Sequence, residues 1–133
     1  MASRSDSMPK VQCQILAAME EAGEEDTAAL INTIGLGQGN EEVRKFADAL
    51  AALLAHGYLY TAVTRKKMYW EERSTEESMT DIAHMERYLS WNHDADYWQW
   101  VDEKPRMQIV LTDSGQALAE ELLRMHGWGI IRG

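Results

Sequence analysis

A chain of 133 residues, 45% hydrophobic and 26% charged, has the size and composition of one folded domain, which excludes disorder over most of its length. Its 13 basic and 22 acidic residues leave a formal charge of −9, so net charge does not draw it to phosphate backbones, and nucleic-acid binding would need a local basic patch. One cysteine, Cys13, precludes an internal disulfide, no apolar run approaches the ~18 residues of a membrane span, and the polar start carries no secretory signal, so the expectation is a cytoplasmic protein without membrane contact.

Residues 1–8 are polar and small and read as a flexible tail. Pro9 suits the first turn of a helix, with Ser7 as its cap. Val11, Ile15, Ala18, Met19 and Ala22 then repeat at helical spacing, so the first helix is expected over 9–22, ended by Gly23. Cys13 reads as a small residue within it, because no surrounding motif would activate a thiol. Glu24-Glu25-Asp26-Thr27 is expected to open a second helix, its acids suiting the positive helix terminus. Leu30, Ile31 and Ile34 form its apolar side, and Gly35, Gly37 and Gly39 end it. That glycine run has neither the preceding strand of a dinucleotide fingerprint nor the Gly-Lys-Ser/Thr of a phosphate loop.

Asn40 is expected to cap a third helix that buries Val43, Phe46, Leu50, Leu53 and Leu54 and ends at Gly57. Tyr58–Val63 is β-rich, 64–67 reads as a turn, and Met68–Glu71 as a returning strand. Ser74 with Glu77 has the spacing of a capping box, for a helix over 75–90 with Met79, Ile82, Met85 and Leu89 on one side. Residues 92–96 are turn-like. Tyr97–Val101 and Arg106–Leu111 both alternate as strands and are expected to form a hairpin across 102–105. Thr112 or Asp113 caps a last helix carrying Leu118, Leu122 and Met125, and 127–133 is an apolar tail.

The order of these elements, with two short stretches, resembles a winged helix-turn-helix domain of the PadR-like and MarR-like kind. One stretch is Ala-Leu-Leu-Ala-His-Gly-Tyr-Leu at the exit of the third helix; the other is Ile109-Val110-Leu111-Thr112-Asp113-Ser114-Gly115, where a wing strand meets the last helix. The resemblance spans about 9–59 and 97–126. It implies an α+β winged helix-turn-helix domain over 9–126, with a hairpin and a helix inserted over about 60–96 between the third helix and the wing. It further implies a transcriptional regulator that binds double-stranded DNA, as a homodimer through its first and last helices. In such proteins the third helix enters the major groove and the wing touches the backbone. Carried over, the DNA-facing residues are Gln38, Asn40, Arg44 and Lys45, beside Glu41 and Asp48, with Lys104 and Arg106 at the wing. Arg65, Lys66 and Lys67 in the insertion are additional contacts.

Charge opposes that reading. Residues 1–59, which should meet the duplex, hold four basic and nine acidic residues. The alternative is an acidic winged-helix module that binds a protein partner through the insertion, as a phage-type inhibitor of a nucleic-acid-binding protein would. Such a module should leave at least two of Trp70, Trp91, Trp98 and Trp100 exposed near Arg65-Lys66-Lys67. No enzyme is expected, and no cofactor. His56, His84 and His126 lie at helix ends or faces, and His93, Asp94 and Asp96 read as an Asx-rich turn rather than a metal site.

Overall fold

The computed structural model describes residues 8–35, 37–66, 69–101 and 106–131, with the side chains of 64–66 and 69 left aside. The fold is α+β: the described residues form five α-helices, a four-stranded antiparallel sheet and a separate two-stranded sheet.

Helix α1 (Lys10–Met19) starts directly after Pro9, whose fixed φ suits that boundary, and buries Cys13, Ile15, Leu16 and Met19. It ends before Ala22, because Gly23 takes up a left-handed turn at φ 75 and sends the chain into an extended run. That run is a strand, β1 (Glu24–Asp26), where the acidic residues were expected to begin a helix. The helix start is deferred to α2 (Thr27–Ile34), and Asp26 is its cap: the carboxylate accepts from the Ala28 and Ala29 amides. Helix α3 (Asn40–Ala55) is capped by Gly39 at φ 117, without a side-chain bond, rather than by Asn40. Its buried face is the expected one, with Ala49 added.

The main correction concerns strand pairing. β2 (Leu59–Lys66) pairs with β3 (Tyr69–Glu72) on one side and with β6 (Arg106–Leu111) on the other. β5 (Tyr97–Trp100) pairs with β4 (Leu89–Asn92), so the hairpin expected across 102–105 is not formed. The sheet order is β1-β6-β2-β3. Burial explains the choice of partner. Leu59, Thr61 and Val63 stand opposite Leu111, Ile109 and Met107, and all six are buried. A chain segment with two alternating strands close in sequence pairs where the apolar face is best covered, not where the loop is shortest. The excursion from the sheet therefore runs from the end of β3 to the start of β6, later than the expected 60–96.

Within it, α4 (Thr75–Ala83) opens with the expected capping box, in which Ser74 accepts from the Glu77 amide and Glu77 from the Ser74 amide. It stops well short of residue 90. A 3-10 turn, Met85–Arg87, follows, and Leu89 is drawn into the register of β4 opposite Trp100. Helix α5 (Asp113–His126) is capped by Thr112, as expected, and packs on α1. The final 3-10 turn, Trp128–Ile131, folds back onto α1, leaving Trp128 exposed. One apolar core joins everything: Ile15 and Met19, Leu30 and Ile31, Phe46 and Leu50, Ile109, Leu122, and also Ile82, Met85, Leu89 and Trp98 of the excursion.

Candidate functional site

The α2–α3 pair is where the sequence places its candidate contacts, and the excursion is built against both helices. On α2, the Asn32 amide imitates a strand edge. Its Nδ2 donates to the Trp98 carbonyl at 2.8 Å, and its Oδ1 accepts from the Trp98 amide at 2.7 Å. The Trp98 indole donates to the Gly37 carbonyl in the turn between α2 and α3. Trp98 is buried, with Trp91 set edge-on against it at 5.4 Å. The Trp100 indole donates to the Asp26 carboxylate that caps α2.

On α3, the outward side carries Glu41, Arg44, Lys45 and Asp48, all exposed. Helix α4 and the 3-10 turn after it lie along one flank of that side. Arg44 Nε bonds Glu86 at 3.1 Å, and Lys45 lies 3.7 Å from Glu42 on its own helix. Between α3 and α4 is a trough of about 330 Å³, with Ala47, Ala51, Met79, Ile82 and Ala83 as its apolar part and Arg44, Asp48 and Glu86 at its margin.

Gln38, Asn40, Arg44 and Lys45 therefore do share one exposed helix start. Arg106 is exposed at the far end of β6, opposite Thr64. Its register puts it at the same end of the sheet as Arg65 and Lys66, which close β2, although those two side chains are not described. Lys67 and Lys104 lie outside the described residues. Of Trp70, Trp91, Trp98 and Trp100, only Trp70 is exposed, at 44%, so the expected pair of exposed tryptophans is not found. Trp98 and Trp100 hold the excursion onto α2, its cap and the turn after it, and Trp91 packs edge-on against Trp98.

Sequence reasoning missed Asn32, Glu86 and the trough. Asn32 left one signal, a polar amide within an otherwise apolar helix face. Glu86 left none, since its partner is 42 residues away. Where β3 leads into α4, Arg73 bonds Asp81 through two nitrogens and reaches Glu77 at 2.8 Å. Hydrogen bonding to Asp81 first, with the Asp81 and Glu77 charges adding to it, pushes this guanidinium further up from its ordinary value. Cys13 is buried, and that burial pushes its thiol up from its ordinary value, away from the thiolate that a nucleophile needs. Among the described residues no group of three or more His, Cys, Asp or Glu side chains could hold a metal ion, and no helix is long and apolar enough to cross a membrane. No protein-family model, curated protein or solved structure gives a significant match to this chain.

Proposed function

We propose that this chain is a winged-helix-type domain that acts by binding another protein rather than by reading a DNA duplex. The fold part of the reading is supported by element order and sheet order. Helix, strand, helix, helix and two strands are followed, after the excursion, by a strand inserted between β1 and β2 and by a last helix.

The functional part rests on one observation: α4 and Glu86 lie along the outward flank of α3. A helix with its side chains is about 10–12 Å across, and the major groove is about 12 Å wide. A second helix packed alongside, at an interaxial distance of about 8–10 Å, makes a body too broad for that groove. Charge supports the same conclusion. Of the two cations on the outward side of α3, Arg44 is engaged by Glu86 and Lys45 by Glu42, while Glu41 and Asp48 face solvent. An acidic module of this kind suits a basic partner, including a nucleic-acid-binding protein whose site it would occupy.

Fluorescence anisotropy with a labelled mixed-sequence duplex tests the reading. A duplex reader binds non-specifically at about 1–100 μM even at physiological salt, and more tightly at low salt. We expect no saturable binding at about 20 mM salt. Saturable binding that weakens with salt would overturn the proposal.

A DNA-binding transcriptional regulator is the second reading, favoured by the register that gathers Arg65, Lys66 and Arg106 at one end of the sheet. Under it Arg44→Ala and Lys45→Ala reduce duplex affinity and its salt dependence. A homodimer through α1 and α5 belongs to that reading, with Met125 and Trp128 as exposed apolar surface, and light scattering decides it.

A further inference from the structure

We infer that the trough between α3 and α4 is the docking site for a basic amphipathic helix of a partner protein. The inference rests on the protein-binding reading above and names the partner's chemistry. The walls of the trough are low, because Ala47, Ala51 and Ala83 contribute only methyl groups. A partner backbone can therefore come close, and Met79, unbranched and polarisable, adapts to what enters. At about 330 Å³ the trough sits at the low end of the roughly 300–1,000 Å³ of small-molecule pockets. It accommodates the anchoring side chains of a helix rather than the helix itself, which has to lie along the two ridges.

The margin of the trough carries two acids, Asp48 and Glu86, against one cation, Arg44. On α3, Glu41 and Asp48 lie two turns apart on the same side as Arg44. On α4, Glu76, Met79 and Ala83 lie on successive turns, and Glu86 follows in the 3-10 turn. Arg44 is the one cation among the described residues lining the trough, and its Nε is already bonded to Glu86. No partner is present for Asp48 among the described residues. A lysine- or arginine-bearing helix can lay aliphatic stems over the low alanine walls and deliver its charges to Asp48 and Glu86. An acidic helix meets repulsion there, and the overall charge of −9 adds steering for a cationic partner.

The probe is a synthetic, fluorescently labelled helical peptide with leucine on one face and lysine on the other. Its control carries glutamate in place of lysine. We expect saturable binding of the lysine peptide only. Asp48→Asn with Glu86→Gln should weaken it tenfold or more. So should Ala83→Trp, which fills the trough from an exposed position. Glu120→Gln with Glu121→Gln removes the same charge from α5 and should leave affinity unchanged. Thermal unfolding of each variant confirms that it is folded. No binding, equal weakening by both double substitutions, or wild-type affinity in Ala83→Trp would each overturn the inference. The duplex titration decides the protein-binding reading separately, so the two can fail independently.

Discussion

At Asp26 one carboxylate ends a strand, caps a helix and holds a tryptophan. Oδ1 accepts the Ala28 and Ala29 amides at 2.9 and 3.2 Å, and both oxygens receive the Trp100 indole at 3.0 Å. Asp26→Ala should therefore cost the cap, about 1–2 kcal/mol, and the indole bond, about 1 kcal/mol more. Trp100→Phe should cost only the latter. Urea midpoints at constant m value check the difference. Gly115 is a second single-residue constraint. A Cβ there would collide with the Tyr58 carbonyl oxygen, in a crossing where Thr112 also bonds Gly57 and Tyr58 through its hydroxyl and amide. The obstruction is backbone and cannot rotate away. Gly115→Ala should cost about 1–3 kcal/mol or more, and calorimetry should record a fall in Tm of at least about 3 °C.

At the scale of elements, α4 is joined to the sheet by a buried hydroxyl pair. Thr61 Oγ1 donates to Ser78 Oγ at 2.7 Å, and both residues are fully buried. Ser78→Ala leaves the Thr61 hydroxyl without that partner and should cost about 1–3 kcal/mol. Adding Thr61→Val should cost less than the sum of the two single changes, which a double-mutant cycle in urea measures. Much of the element pattern was legible in the sequence because its signals are local. The Ser74–Glu77 capping box, the Thr112 cap and the apolar face of α3 are all read within a few residues. Pairing was not legible. β5 and β6 both alternate, and only the match of β6 to the buried face of β2 separates them. β1 is Glu-Glu-Asp, with no strand propensity of its own, and forms because β6 offers an edge. At the candidate site, Arg44 and Lys45 are exposed because helical spacing gives α3 an outward side, and Gln38 and Asn40 are exposed at its start. The flanking of α3 by α4 was hidden, because an apolar helix face does not specify what it packs against.

At the scale of the whole molecule, the excursion is part of the domain's core and not an appendage to it. Ile82, Met85, Leu89 and Trp98 are buried in the same cluster as Phe46 and Ile31, and polar contacts tie the segment to α2, to α3 and to the turn between them. A core shared in this way unfolds as a unit, so opening the excursion alone should cost nearly as much as global unfolding. Its tryptophans fasten it to α2 and to the turn after it, Glu86 fastens it to α3, and under the proposed function it is α4 packed on α3 that would keep that helix from a duplex. Native-state amide hydrogen exchange measures this directly. The account predicts that amides of α4 and of the β4–β5 pair exchange in the same slow class as those of α3 and β6. Fast exchange in α4 and β4–β5, while α3 and β6 remain protected, would show a segment that lifts away and leaves α3 free, and would contradict the account.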